Sequence, residues 1–295
     1  MDWSDKILRL ALSCCLFLTA AGCAKQPETA AFSRDQDIHL LMREDGSGTR
    51  TAFGEGTGLL KKQPDGSMQD DSAMTAAVTS STAVMLTNVK DDPAAVGYVS
   101  LGSLNDSVRA LKLDGAACDG PDVKSGGYPL ARQLYLVTGP GSGEQDRAFL
   151  SFVCSDQGQE VVAASGWVPL DGQGPWQRPA DVSGKIVLSG SSSVAPVMEQ
   201  LAAVWEKEMP QAPVEIQQSD SSTGIQNAIN GSADLGMSSR GLSESETQQG
   251  AESIPAALDG IAIIVHPANP VRDLSLSQVR RIFSGDARKW SDVSR

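Results

Sequence analysis

The sequence predicts an α/β fold, and three observations carry that prediction. Short β-branched runs such as Ile186-Val187-Leu188 and Ile261 to Val265 alternate with longer stretches of helical periodicity, the rhythm of strands and helices packed in layers. Strand-like runs end repeatedly in Gly/Ser/Thr loops that lead into helix starts. The 295 residues, 40% hydrophobic and 20% charged, suffice for two core-forming lobes or one large domain.

The elements follow in order. Lys6 and Arg9 precede an apolar run from Leu10 to Ala21, too short to span a bilayer and the right length for a signal-peptide core. Residues 1–22 are therefore expected to be a signal peptide. The run closes on Ala20-Ala21-Gly22-Cys23, similar to a bacterial lipobox, whose cleavage would leave a lipidated Cys23 holding the protein outside the cell membrane. A plain signal cut nearby, with Cys23 incidental, stays open. Residues 23–36 would be the lipidated N-terminus and a polar tether. Of the other cysteines, Cys14 and Cys15 fall in the signal. Cys118 and Cys154 are candidates for a disulfide in an oxidising compartment, and sequence does not fix whether their Cα atoms come within bridging distance.

Ile38 to Met42 reads as a buried strand running into a loop, with a helix from near Thr49. Ser81 to Val89 reads as a helix and Val96 to Leu101 as a strand. Leu134 to Thr138 is a further strand, followed by helical pieces at Gln145 to Cys154 and Gln159 to Ala164. Gly, Pro, Asp and Gln dominate 171–184, which reads as a linker. A second α/β series follows: strand Ile186 to Leu188, helix Ala195 to Met209, strand Val214 to Ile216, and a helix to about Asn230 preceded by Ser221 to Thr223. It closes with strands Asp234 to Met237 and Ile261 to Val265 and the helix Ser277 to Phe283.

Three loops share one chemistry. In Arg43-Glu44-Asp45-Gly46-Ser47-Gly48-Thr49-Arg50 the glycines allow tight turning, Ser47 and Thr49 offer hydroxyls, and a helix start exposes unpaired N–H groups. Arg43 can grip two oxygens of a tetrahedral anion through its planar fork. Asp45 is placed to orient that guanidinium, or else serves as a turn-forming Asp before Gly. Ser189-Gly190-Ser191-Ser192-Ser193 and Asp220-Ser221-Ser222-Thr223-Gly224 also precede helix starts, and each alone reads equally well as a capping loop. Ser238-Ser239-Arg240 ends a further strand. Convergence of these strand ends would make a cage of donors for one oxyanion.

Composition narrows the alternatives. A net charge of -12 argues against a nucleic-acid partner, so any bound anion must be held by local donors. The histidines are His39 and His266, and no His-based metal spacing, nucleophile elbow or P-loop occurs. No cofactor is implied, and a hydroxyl-rich cleft without a general base favours binding over turnover.

The segments Ser189 to Pro196, Asp234 to Arg240, Ala257 to Val265, Arg43 to Arg50, Gly97 to Leu101 and Tyr128 to Arg132 resemble the phosphate-binding proteins of phosphate ABC transporters, most closely the compact kind common in Gram-positive bacteria. The resemblance covers nearly all of the chain after the signal. It implies a two-lobed type II periplasmic-binding-protein fold with no chemistry on the ligand. Implied partners are inorganic phosphate, an ABC permease and ATPase complex, and the membrane through the lipid anchor, with the protein acting as a monomer. The family's ligand positions fall on Arg43, Ser47, Gly48, Thr49, Ser192, Ser193, Ser221 and Ser239, with Asp45 and Arg240 behind them. Where better-known enteric members carry an aspartate that accepts the proton of hydrogen phosphate, this chain has Ser239, which leaves sulfate, molybdate or tungstate as alternative ligands. A phosphate-sensing surface module without transport is another reading.

The order of the halves departs from the family. There the serine loop comes first; here 38–170 precede 185–295, so the resemblance implies a circular permutation joined through 171–184. It places one discontinuous lobe at 37–127 plus 266–295 and a continuous one at 128–265.

Overall fold

The computed structural model describes residues 32–293. The expected signal peptide, 1–22, and the expected lipidated Cys23 lie outside the described residues.

Alternation of strand and helix organises the chain. The first series runs β1 (His39–Arg43), α1 (Gly48–Thr57), the hairpin β2 (Leu60–Lys62) and β3 (Met68–Asp70), β4 (Ala77–Thr79), α2 (Thr82–Asp91) and β5 (Ala95–Ser100). Short pieces β6 (Arg109–Ala110), β7 (Lys112–Leu113) and α3 (Gly120–Ser125) lead to β8 (Ala131–Thr138), α4 (Glu144–Cys154) and α5 (Asp156–Ala164). The second series runs β9 (Ile186–Ser191), α6 (Ala195–Glu208), β10 (Val214–Ser219), α7 (Ser221–Asn230), β11 (Leu235–Ser238), α8 (Glu244–Gln248) and β12 (Glu252–Val265). β13 (Asp273–Leu274), α9 (Leu276–Phe283) and α10 (Trp290–Val293) complete it.

One mixed sheet threads the molecule in the order β10-β9-β11-β8-β12-β5-β1-β4, with β6 on β12. β1 lies parallel between β4 and β5, and β9 lies parallel between β10 and β11. β12 is the joint. Its first part pairs antiparallel with β8, and its last five residues, Ile261 to Val265, pair antiparallel with β5. The sequence reading recognised only that last part as a strand. Pro255 sits at the register shift between Pro255 and Ala257, where a proline costs no ladder hydrogen bond.

Two large apolar cores lie to either side of the β8–β12 pair. In one, Phe53 stacks on Tyr98 with ring centroids 4.1 Å apart, and Phe283 meets Phe53 edge-on at 4.7 Å. In the other, Phe149, Phe152 and Trp176 pack around Trp205. Each fully buried aromatic contributes about 1.5–3 kcal/mol.

Two boundary expectations change. Phe32 lies against Trp290 with ring centroids 6.0 Å apart, and Ser291 N donates to Arg34 O at 2.8 Å. Residues 32–36, expected as tether, therefore belong to the folded body. The 171–184 segment has no regular structure but is pinned: Trp176 packs edge-on against Phe152, its backbone N–H donates to Gln157 Oε1 at 2.7 Å, and Val182 is buried.

The candidate disulfide does not form: Cys118 and Cys154 are both free. Cys118 packs beside Gly260 at the edge of the first core, whereas Cys154 lies over Pro255 O at 3.9 Å beside the second. Burial pushes the Cys118 thiol up to about 12.

Candidate functional site

Arg43 stands at the end of β1 and is only 2% exposed. Its backbone N–H donates to the Tyr98 hydroxyl at 3.1 Å, which fixes the strand end. Burial pushes that hydroxyl up to about 12, so it stays protonated. A guanidinium buried this deeply needs a partner. Glu44 supplies it: Arg43 Nε and Nη2 donate to its two carboxylate oxygens at 2.8 and 2.7 Å. The remaining reach goes forward, with Nη1 donating to Thr82 Oγ1 at 3.2 Å and Nη2 to Ser192 Oγ at 3.1 Å.

Asp45 does not orient Arg43, contrary to expectation. Its side chain is 94% exposed and takes Arg50 Nη1 at 2.6 Å. Gly46, with φ +84°, turns the chain between strand and helix. The turn throws Asp45 outward, to where the first turn of α1 presents Arg50.

Around Arg43 the hydroxyls meet one another. Thr49 Oγ1 lies 2.9 Å from Ser193 Oγ and 3.4 Å from Ser239 Oγ. Thr82 Oγ1 lies 3.3 Å from Ser192 Oγ and 3.2 Å from Ser193 Oγ. Ser239 Oγ also meets Ser191 Oγ at 3.1 Å and Ser221 Oγ at 3.3 Å, and Ser239 N donates to Ser221 Oγ at 3.0 Å. Every member of this cluster is at least 95% buried. Sequence neighbours do not build it: the Thr49–Ser239 pair is 190 residues apart.

Helix starts explain the convergence. α1, α2, α6 and α7 all begin at the cluster, so N–H groups without helical partners point toward it. Ser47 caps α1 by accepting from Arg50 N, Ser81 caps α2 through Val84 N, and Asp220 caps α7 through Thr223 N. Val194, which precedes α6, offers no side-chain acceptor. Gly48 must be small, because a Cβ there would lie 2.5 Å from Ser221 Oγ and 2.8 Å from Ser239 Oγ.

The structure thus brings together Arg43, Gly48, Thr49, Ser192, Ser193, Ser221 and Ser239. Ser47 is buried beside them as the α1 cap. Arg240 turns away: its guanidinium takes Glu246 at 2.8 and 2.9 Å and Ser222 Oγ at 2.9 Å. Sequence reasoning missed Thr82, Ser191 and Glu44. Thr82 carries the same signal as its partners, a hydroxyl at a helix start.

A second group lies directly behind. Asp259, on β12, is fully buried and accepts from Ser100 Oγ at 2.8 Å, Leu101 N at 3.0 Å and Arg132 Nε at 2.9 Å. Arg132, opposite it on β8, also donates Nη1 to Ser239 O at 3.2 Å. This ion pair ties the β8–β12 joint to the cluster.

Hydroxyls rotate to donate or accept, helix N-termini favour negative charge, and Arg43 adds a fixed positive donor fork. The arrangement suits a compact oxyanion with acceptors on every side. Its positive charge is balanced by Glu44, so recognition here rests on many directed hydrogen bonds more than on net charge.

Comparison with known proteins agrees. The PBP superfamily domain matches residues 2–157 and 177–295. The phosphate-binding protein PstS 2 of Streptococcus agalactiae serotype V is 46% identical over 276 residues, 93% of each chain. The protein of the same name from Streptococcus pneumoniae serotype 4 is 36% identical over 272 residues, 92% of this chain and 93% of that one. The crystal structure of a phosphate ABC transporter's phosphate-binding protein from Streptococcus pneumoniae TIGR4 superposes with a TM-score of 0.68 at 37% identity, covering 88% of this chain and 100% of that one. An unbroken match over 93% of both chains means the agalactiae protein shares this order of halves. The chain belongs to the PBP superfamily and, within it, to the phosphate-binding proteins of ABC transporters.

Proposed function

We propose that this protein captures inorganic phosphate in the buried hydroxyl cage and delivers it to an ABC importer, without chemistry on the ligand. The single observation that carries the reading is the meeting of Arg43, Thr49, Thr82, Ser192, Ser193, Ser221 and Ser239 at four helix starts. Arg43 would donate to two phosphate oxygens, the serines and threonines would fill the remaining acceptor sites, and N–H groups of Ser47, Gly48 and Thr49 would add to them. The names of the relatives point the same way.

The two cores would mark two lobes, 37–127 plus 266–295 and 128–265, that close on the ligand about β8 and β12, with Tyr128, Leu130, Val168, Ile261, Ile263 and Val265 reaching across that boundary into the first core. Cage members come from both sides of that joint. The permuted order fits the geometry, since Ile38 N donates to Arg288 O at 2.7 Å and the two ends of the described chain lie together. A chain joined across those ends and reopened within 171–184 should bind phosphate unchanged; failure to fold would reject the permutation. Export and a lipidated Cys23, resting on the N-terminal sequence, and monomeric action, resting on the family resemblance, complete the proposal.

Isothermal titration provides the principal test. Arg43→Met should weaken phosphate binding roughly a hundredfold, the scale of losing one or two charge-assisted hydrogen bonds. Undiminished binding in that variant rejects the site. Ser239, a neutral group at the heart of the cage, favours one second reading, another tetrahedral oxyanion such as sulfate, molybdate or tungstate. Preference for one of these in competition titrations would replace phosphate as the ligand.

A further inference from the structure

Outside the hydroxyl cage, one contact closes the loop between β1 and α1 onto the start of α7. Gly46 O accepts from Ser222 N at 3.2 Å and from Ser222 Oγ at 3.3 Å. Residues 176 apart in sequence meet here. Gly46 is held to glycine twice over, by φ +84° and by Asp220 Oδ1, which would lie 2.5 Å from an added Cβ.

Ser222 is itself held from behind. Arg240 Nη2 donates to Ser222 Oγ at 2.9 Å, so the hydroxyl's own proton is free to go to Gly46 O. The Arg240 fork is set by Glu246, which takes Nη1 and Nη2 at 2.9 and 2.8 Å and is only 7% exposed. Glu246 is fixed in turn because it caps α8, accepting from Ser243 N at 2.7 Å. The result is a chain from Glu246 through Arg240 and Ser222 to the Gly46 carbonyl. Ser222 bonds to Gly46 and Arg240, and the cage hydroxyls are bonded separately among themselves.

We propose that Arg240, braced by Glu246, is a positioning residue that sets Ser222 against the Gly46 carbonyl, and that this latch governs how fast the anion leaves. The proposal rests on reading the hydroxyl cluster as an anion cage. An ion enclosed by the loop at 44–49 and the start of α7 leaves only when those two segments part, which breaks the Ser222–Gly46 bonds. Encounter occurs before the latch forms, so its loss acts on dissociation and leaves association unchanged.

Stopped-flow kinetics with inorganic phosphate tests this in the full chain, using Ser222→Ala, Arg240→Met and the pair together. Each single variant should raise the dissociation rate about fivefold, the scale of one neutral hydrogen bond, with the association rate within about twofold. Because Arg240 acts through Ser222, the double variant should be no faster than the faster single one. Ser222→Ala keeps the backbone N–H and the α7 cap, so it reads the latch even if Arg240→Met proves unstable. An unchanged dissociation rate in Ser222→Ala, or a double variant whose effect is the product of the singles, overturns the latch while leaving the cage intact. A wild-type protein that binds no phosphate overturns the cage reading and the latch with it.

Discussion

Replacing Arg132 by methionine tests the load on the joint between the cores. The substitution nearly preserves stem length and removes the whole guanidinium. Asp259, whose side chain is 0% exposed, then loses its contacts to Arg132 Nε at 2.9 Å and Nη2 at 2.8 Å. It keeps only the neutral donors Ser100 Oγ and Leu101 N. Breaking a buried pair by deleting one partner costs about 3–5 kcal/mol, because the other charge is left in a poorly solvating interior. At roughly 2–4 °C per kcal/mol for a protein of this size class, the midpoint of thermal unfolding should fall by about 6–20 °C. Thermal denaturation followed by circular dichroism reads this directly. The companion variant Arg132→Met with Asp259→Leu buries no charge and should regain most of the loss. It should not regain phosphate affinity, since the Arg132 Nη1 bond to Ser239 O is still missing. A single variant that unfolds within about 2 °C of the wild type would refute the account of Asp259 as a charge held in place by Arg132.

Three further expectations follow, two from the structure and one from the N-terminal sequence. Gly48→Ala places a methyl 2.5 Å from Ser221 Oγ, so phosphate titrations should show binding weakened by about tenfold or more, and an affinity within about twofold would show that Gly48 is not packed against the ligand site. Asp146 is 1% exposed, and burial raises its carboxyl above the ordinary value of 3.8 despite the hydrogen bond from Gly143 N. A raised folded value means ionisation costs stability, so the wild type loses stability as pH rises above the ordinary value. Asp146→Asn keeps an oxygen for Gly143 N and should remove that loss, so the stabilities of the two proteins, read from denaturant melts, should diverge as pH rises from about 4 through the raised folded value and differ by a constant amount above it; a difference that does not change with pH would contradict this. Cys23→Ser should release the protein from the membrane fraction, and retention there would reject the lipid anchor.

Particular residues show what was legible and why. The hydroxyl loops were readable because a strand end, a glycine and a helix start are all local events, each written within about five residues. Partner choice was not. Spacing nominated Asp45 for Arg43, but the turn at Gly46 carries Asp45 to the surface and leaves Glu44 in reach of the guanidinium. Pro255, Asp259 and Gly260 interrupt the apolar pattern before Ile261, so only Ile261 to Val265 reads as strand from the sequence. That stretch is a strand because β8 supplies the pairing partner, and Asp259 tolerates full burial because Arg132, 127 residues away, sits opposite it.

The sequence alone determined the α/β class, the order of most strands and helices, and the residue types able to hold an oxyanion, because these follow from short-range periodicity and turn chemistry. Tertiary structure decided which of those groups meet, since an alcohol on one helix start acquires meaning only when another, distant in the chain, arrives within 3 Å or so of it. It also left Cys118 and Cys154 apart, pinned the 171–184 segment and set Ser222 on Gly46. Those outcomes depend on how two cores fold about one shared strand pair, a geometry that local sequence pattern does not encode.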